Sequence, residues 1–210
     1  MDIAILIFDK ITALDAVGPY EVLSRLPGAT VTFVAAEPGQ YRTENGMLAL
    51  TADRAFAEMP RQDVIVVPGG FGTRALLRDE PTLNWIREAN HRTMVTASVC
   101  TGSLLLGAAG LLHGRKATTH WLLLDKLREF GAEPVSERIV EDGKLLMAAG
   151  VSAGIDMALA LAARLAGQQV AEAIQLGIEY DPQPPFNSGS TKTAPPAIVE
   201  LVRARADQFA

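Results

Sequence analysis

The sequence contains little cysteine and little histidine. Cys100 is the single cysteine among 210 residues, and there are three histidines. One thiol cannot close an intrachain disulfide or supply the several thiolates of a structural metal site. The histidines also lack the four-residue spacing of two zinc ligands on one helix. We therefore expect no disulfide framework, no bound metal and no second thiol in the chain to resolve an oxidised Cys100.

Long apolar runs and clusters of basic residues are absent as well. No apolar stretch reaches the roughly 18 residues of a membrane span, and no charged-then-apolar leader follows Met1. The chain has 19 Lys and Arg against 24 Asp and Glu, and the basic residues are scattered, which argues against a nucleic-acid surface. Hydrophobic residues make up 49% of the chain, enough for one sizeable core. These features predict a cytoplasmic protein with residues 1–210 as a single domain, and no membrane or nucleic-acid partner.

Short apolar, β-branched runs alternate with helical patterns along the chain. Buried strands are predicted at 3–8, 30–34, 64–67 and 94–99. Strands separated by helices are typical of a flavodoxin-like, doubly wound α/β fold, with a mostly parallel sheet and helices on both faces. Asn45-Gly46 and Asp142-Gly143 are turn signals that add small β-hairpins. A last helix is predicted at 197–209, after a loop-like segment at 181–196.

Sites in such folds lie beyond the carboxyl ends of the strands, and the lone cysteine follows one of them. Cys100 lies between an apolar strand and a helix of small residues, and Gly102 follows two positions later, as in a nucleophile elbow. A thiol at the first turn of a helix faces unpaired backbone N–H groups and the positive end of the helix dipole, which favour the thiolate. The alternative is an inert buried cysteine that packs as a small hydrophobe. The turn context favours a reactive role.

Glycines cluster at the end of the neighbouring predicted strand, in Pro68-Gly-Gly-Phe-Gly72. The Gly70 amide, together with the Thr101 amide, is a candidate oxyanion hole beside Cys100. Residues 70–75 also match the glycine pattern of a dinucleotide fold, which calls for an acidic residue at the end of the next strand. That strand ends at Cys100 without an acid, so no nucleotide cofactor is predicted.

Asp15 and His120 are the other two candidate site residues. Asp15 follows the first strand among apolar neighbours, where burial would raise the pKa of its carboxyl and suit it to proton transfer. Helix capping is the alternative explanation for an Asp at a helix start. His120 ends a short predicted strand at 117–119, where it would bind substrate or serve as a structural histidine.

Five motifs in order along the chain resemble the ThiJ/PfpI family of the class I glutamine amidotransferase-like superfamily. They are Asp15-Ala-Val-Gly-Pro19, Pro68-Gly-Gly70, Ser98-Val-Cys-Thr-Gly102, Ala117-Thr-Thr-His-Trp121 and Gly154-Ile-Asp156. The resemblance implies a flavodoxin-like fold and a homodimer. It also implies that Cys100 is the nucleophile and that Asp15 is an acid from the first loop beside it.

Within this family, the Asp in the first loop, the Cys-Thr-Gly elbow and Pro184-Pro-Phe-Asn187 resemble the members that hydrate isonitriles. This implies a cofactor-independent carbon–oxygen hydro-lyase acting on a small molecule, with Cys100, Asp15 and Thr101 as catalytic residues. Glyoxalase or deglycase chemistry on small carbonyls and a redox-sensing stress protein are the alternatives. No histidine follows His120, which argues against a glutaminase. The chain stops at Ala210, so we expect no appended helix-turn-helix domain.

Overall fold

A central parallel sheet organises the chain, whose computed structural model describes residues 1–206. The strands, in chain order, are β1 Asp2–Leu6, β2 Thr30–Ala35, β3 Gly39–Arg42, β4 Ala49–Ala52, β5 Arg54–Ala55, β6 Val64–Val67, β7 Val95–Val99, β8 Lys116–Ala117, β9 Glu133–Pro134, β10 Ile139–Asp142 and β11 Leu145–Ala148. Seven of them form the main sheet in the order β10-β11-β7-β6-β1-β2-β5, and β10 alone runs antiparallel to its neighbour. The predicted α/β class and mostly parallel sheet are confirmed.

Helices cover both faces of this sheet. They are α1 Ala13–Leu23, α2 Thr73–Leu76, α3 Glu80–Arg92, α4 Gly102–Ala108, α5 Ala153–Ala166, α6 Gln168–Gly177 and α7 Pro196–Arg203, with 3₁₀ segments at Phe56–Glu58 and Trp121–Phe130. Helix α5 packs against α1 and α6, while α4 packs against α2 and α3. The predicted last helix ends at Arg203, and residues 207–209 of that prediction lie outside the described part of the chain. No helix in the described residues is both long enough and apolar enough to cross a bilayer.

The order of the strands creates a switch point between β1 and β6. The chain passes from β1 to β2 on one side, and from β6 to β7 on the other. Right-handed crossovers in opposite directions place their helices on opposite faces, and a crevice opens where the direction changes. The loops after β1, β6 and β7 therefore meet at one edge.

The middle of the sheet forms the core. Every residue of β6 and β7 is buried, and so are four of the five residues of β1. Strands covered by helices on both faces must be apolar throughout, which explains the uninterrupted Val-Ile-Val-Val of β6. This rigid layer supports the loops that carry the polar residues.

Both predicted hairpins form, and they differ in their surroundings. Strands β3 and β4 pair as a separate two-stranded unit around Glu44-Asn-Gly46. Strands β10 and β11 also pair, but β11 lies parallel to β7 and so belongs to the main sheet. The second hairpin therefore extends the sheet on the side of the cysteine.

Replacing Ile65, which is fully buried on the central strand β6, should strongly destabilise the fold. Ile65→Ala removes buried methyl groups and leaves a cavity, so urea denaturation should show a loss of about 2–5 kcal/mol in the free energy of unfolding. Met47→Ala is the control, because Met47 is 85% exposed and its truncation should change stability by less than about 0.5 kcal/mol. Equal effects of the two substitutions would contradict this assignment of the core.

Candidate active site

Three loops meet beyond the carboxyl ends of β1, β6 and β7 and bring the predicted residues together. The Gly69 amide donates a hydrogen bond of 3.0 Å to Asp15 Oδ2, which joins the β6 loop to the first loop. The Gly70 amide donates one of 2.9 Å to Thr101 Oγ1, which joins the same loop to the cysteine turn. Asp15, Gly70, Cys100 and Thr101 thus belong to one cluster, although 85 residues separate the carboxyl from the thiol along the chain.

Cys100 occupies a tight turn in the left-handed region of backbone conformation. Its φ is +57°, which costs roughly 1–2 kcal/mol for a residue with a side chain. The turn is held by a bond of 3.1 Å from the Cys100 amide to the Ala148 carbonyl, and one of 2.9 Å from Thr119 Oγ1 to the Cys100 carbonyl. A Cβ at Gly102 would collide with the Val67 and Pro68 carbonyls. The glycine two residues after the cysteine is therefore required by close backbone approach.

Thr101 connects the cysteine turn to the glycine loop through its hydroxyl. Besides accepting from the Gly70 amide, Thr101 Oγ1 accepts from Thr73 Oγ1 at 3.2 Å. The Thr101 amide lies against the Cys100 sulfur, where its hydrogen bond favours the thiolate. The Thr101 hydroxyl thus holds the two loops together, and the Thr101 amide is the group that faces the Cys100 sulfur.

The Gly70 amide is already engaged, which bears on its predicted role. Its N–H donates to Thr101 and does not point to an open position beside the sulfur. An oxyanion hole that uses Gly70 would require this bond to break when substrate binds. The φ of Gly70 is +127°, and a Cβ at this position would collide with the Thr12 amide nitrogen and lie 2.6 Å from the Lys10 carbonyl oxygen, so only glycine fits here.

The Asp15 carboxyl is fully buried and has few polar partners. It is 0% exposed, and its Oδ2 accepts the Gly69 bond, while Oδ1 has no partner of good hydrogen-bond geometry among the described residues. No side chain caps the start of α1, so helix capping does not explain this Asp. Burial raises its pKa to about 8, against smaller lowering effects of the Gly69 amide and the Cys100 thiol. The carboxyl is therefore largely protonated at neutral pH.

The environment of Cys100 favours the thiol over the thiolate. Burial raises the pKa of the thiol well above its usual value, and Asp15 raises it further once its carboxyl is ionised, while the Thr101 amide lowers it. The expectation that the helix start would lower this pKa is wrong, because removal from water outweighs the amide at the start of the short helix α4. Asp15 and Cys100 thus form a pair that holds protons at neutral pH.

Glu44, in the turn of the first hairpin, is a residue of this site that the sequence reasoning missed. Its Oε2 accepts a hydrogen bond of 2.9 Å from Thr12 Oγ1, three residues before Asp15. Its negative charge contributes to raising the pKa of both Asp15 and Cys100. The Asn-Gly turn signal predicts the hairpin, but nothing local indicates that the hairpin folds back over the first loop.

A cavity of about 570 Å³ is lined by neighbours of the cluster, but not by Asp15, Gly70, Cys100 or Thr101 themselves. Its wall includes Leu14, Thr119, His120, Arg138 and Lys192. Leu14 precedes Asp15 in the chain, and Thr119 donates to the Cys100 carbonyl, so these two residues link the cavity wall to the buried pair. The wall combines hydroxyl and charged side chains with apolar ones such as Trp121 and Leu124.

His120 lies on the wall of this cavity and is only 8% exposed. Burial lowers the pKa of its imidazole, and its Nδ1 has no hydrogen-bond partner among the described residues. Strand β8 ends at Ala117, three residues earlier than the histidine, so His120 is held by the following irregular segment. A neutral ring can offer one donor and one acceptor, which suits contact with a polar substrate atom.

Comparisons with known proteins agree with this geometry. The profile of the DJ-1/PfpI family matches residues 1–164. The chain is 47% identical over 206 residues to an isonitrile hydratase of Pseudomonas putida, covering 98% of this chain and 90% of that protein. The crystal structure of a ThiJ/PfpI family protein from Pseudomonas syringae has a TM-score of 0.95 at 40% identity, covering 99% of this chain and 86% of that one. Drosophila melanogaster DJ-1beta shares the fold, with a TM-score of 0.75 at 20% identity and coverage of 85% of this chain and 97% of that one.

Removing the Thr101 hydroxyl should loosen the site. Thr101→Val leaves the buried Gly70 amide without its acceptor, which should lower the free energy of unfolding by about 1–3 kcal/mol in urea denaturation. Thr101→Ser keeps the hydroxyl, so its free energy of unfolding should stay near that of the wild type. Equal stability of the Val variant and the wild type would show that this bond contributes nothing.

The raised pKa of Asp15 should make stability depend on pH. The carboxyl titrates near 3.8 when exposed and at about 8 when folded, so the folded chain binds the proton more tightly between these values. The stability that the protonated Asp15 contributes is complete below pH 3.8 and is lost as the pH rises through about 8. In urea denaturation at a series of pH values, Asp15→Asn should flatten this decline, whereas Asp125→Asn, at an exposed position, should retain it. An unchanged slope in Asp15→Asn would contradict the raised pKa.

Proposed function

This chain belongs to the DJ-1/PfpI family, and from that premise we propose that it is an isonitrile hydratase, which adds water to an isonitrile to give an N-substituted formamide. The predicted family and fold are confirmed. The observation that carries the proposal is the near-full-length identity to the Pseudomonas putida isonitrile hydratase. The buried pair of Asp15 and Cys100 also supports it, because it supplies both a nucleophile and a proton donor.

An uncharged substrate suits this pair. An isonitrile, R–N≡C, is neutral, and its terminal carbon accepts both a nucleophile and a proton. The groups that shift the pKa of Asp15 and Cys100 include no cation, so the buried pair itself does not attract a negative charge. It does offer a thiol and a protonated carboxyl side by side.

In the first half of the reaction, the Cys100 sulfur attacks the terminal carbon. Asp15 gives its proton to that carbon and takes the proton of the thiol, so the carboxyl carries a proton before and after the step. The product is a thioimidate, R–N=CH–S–Cys100, with no net change of charge. Proton transfer coupled to attack removes the need for a free thiolate, which burial disfavours at neutral pH.

In the second half, water adds to the thioimidate carbon with Asp15 accepting its proton and passing one to the substrate nitrogen. The carbon–sulfur bond of the tetrahedral adduct then breaks, the Cys100 sulfur regains a proton, and R–NH–CHO leaves. The sum is one isonitrile and one water giving one formamide. The reaction uses no cofactor and belongs to the carbon–oxygen lyases.

The remaining site residues assist this pair. The Thr101 amide stabilises negative charge on the sulfur as the adduct collapses. Gly70 places Thr101 through the bond to its hydroxyl, and its amide serves as an oxyanion donor only if that bond opens. His120 contacts the substrate from the cavity wall. The family resemblance also favours a homodimer, and exposed apolar residues such as Met47 and Phe186 are available for an interface.

Both members of the pair should be needed for turnover. Cys100→Ala should lower hydration of cyclohexyl isocyanide by about 10³-fold or more, because the covalent intermediate cannot form. Asp15→Asn should lower it by roughly 10²- to 10⁴-fold, because the proton relay is lost. Formamide is measured by chromatography, and circular dichroism checks the fold. Asp125→Asn is the matched control and should retain full activity.

Full activity of Cys100→Ala would refute the covalent route. Methylglyoxal is incubated in parallel, because aldehyde loss without formamide production would instead favour glyoxalase or deglycase chemistry. If neither substrate is consumed and Cys100 is slowly oxidised by peroxide, a redox-sensing role is favoured.

A further inference from the structure

The first hairpin reaches the catalytic cluster through a single carboxylate. Strands β3 and β4 form a unit separate from the main sheet, and their turn carries Glu44. Glu44 is anchored twice to the first loop. Its amide donates to the Ile11 carbonyl at 3.1 Å, and its Oε2 accepts from Thr12 Oγ1 at 2.9 Å. The carboxylate is therefore held in one place, although it is exposed to solvent.

A chain of hydrogen bonds connects this carboxylate to Asp15. Thr12 precedes α1, but its side chain accepts no helix amide; it donates its hydroxyl to Glu44, and its amide donates to the Gly69 carbonyl at 3.0 Å. Gly69 in turn donates its own amide to Asp15 Oδ2 at 3.0 Å. The Thr12 carbonyl also accepts from the Asp15 amide at 3.1 Å. The position of Asp15 thus depends on Thr12, and the side chain of Thr12 depends on Glu44.

The charges that face the reactive pair are few. Asp15 is faced by the Cys100 thiol from the β7 turn, by the Gly69 amide from the β6 loop and by Glu44 from the hairpin. Cys100 is faced by Asp15, the Thr101 amide and the same Glu44. Among the described residues, Glu44 is the one charged group outside the pair that acts on both members.

We propose that Glu44 is a positioning residue, which holds the Thr12–Gly69 loop around Asp15 and places a negative charge where it opposes the loss of a proton from Asp15 and Cys100. The effect on turnover rests on the proposed function, because the proton delivered to carbon must come from that pair. The effect on the thiol does not depend on any substrate.

The single cysteine makes the proposal directly measurable. Alkylation by iodoacetamide reports the thiolate fraction of Cys100 alone, and its rate is followed by mass spectrometry between about pH 6 and pH 11. Glu44→Gln removes the charge and keeps an oxygen that can accept from Thr12. Glu44→Ala removes both. Glu37→Gln, an exposed change of equal charge in the loop before β3, is the matched control.

Removal of the negative charge should make the thiolate form at lower pH. We expect the alkylation midpoint to fall by roughly 0.3–0.6 pH unit in Glu44→Gln, as one partly solvated charge at several ångströms would produce. The difference from wild type should shrink at about 1 M salt, because exposed charges are screened. Glu37→Gln should keep the wild-type midpoint. A midpoint in Glu44→Gln that equals wild type at low salt would overturn the proposal.

Turnover gives a second readout that separates this proposal from the proposed function. If cyclohexyl isocyanide is hydrated, the alkaline limb of the pH–rate profile should fall at lower pH in Glu44→Gln than in wild type and in Glu37→Gln. An unshifted limb would overturn the role of Glu44 in turnover. If the wild type hydrates no isonitrile, the proposed function fails, and the alkylation midpoints still decide whether Glu44 acts on the pair.

Discussion

The hydrogen bond from the Gly69 amide to Asp15 Oδ2 is the contact on which the rest of the site depends. It is the one hydrogen bond of good geometry that a fully buried carboxyl receives among the described residues. A buried carboxyl with one donor and no cation retains its proton, because burial disfavours the charged form. The same contact brings the β6 loop against the cysteine turn, since a Cβ on Gly69 would lie 2.5 Å from the Thr101 amide nitrogen. The Gly69 contact therefore fixes the position of the carboxyl, while burial at that position keeps it protonated against the lowering effect of the amide.

This arrangement differs from a cysteine activated as a free thiolate. Sites of that kind place a cation or a long helix start beside the sulfur. Here the sulfur is buried beside the Asp15 carboxyl, the negative charge of Glu44 acts on it from the hairpin, and the thiol form is favoured. A thiol and a protonated carboxyl suit a neutral substrate that must receive a proton at carbon, which agrees with hydration of an isonitrile. The hydroxyl and charged side chains on the wall of the nearby cavity can meet substituents that carry hydrogen-bonding groups.

Much of the fold could be predicted because its signals are local. The apolar run of β6 and the small residues after Cys100 follow from burial on both faces and from close backbone packing. The direction of the thiol pKa could not be predicted, since it depends on how completely loops from distant parts of the chain exclude water. The hydrogen bond from the Gly70 amide to Thr101 could not be predicted for the same reason, because it depends on how the ends of the adjacent strands β6 and β7 are aligned.

The sequence by itself determined the doubly wound class, the cysteine at a strand-to-helix turn and an Asp after the first strand, because each follows from periodicity or from a short motif. Only the tertiary structure decided that Asp15 is a buried partner of Cys100 and not a helix cap. It alone brought Glu44 over the first loop. Hydrogen bonds and desolvation act over a few ångströms, and residues that are distant along the chain come that close only when the sheet assembles.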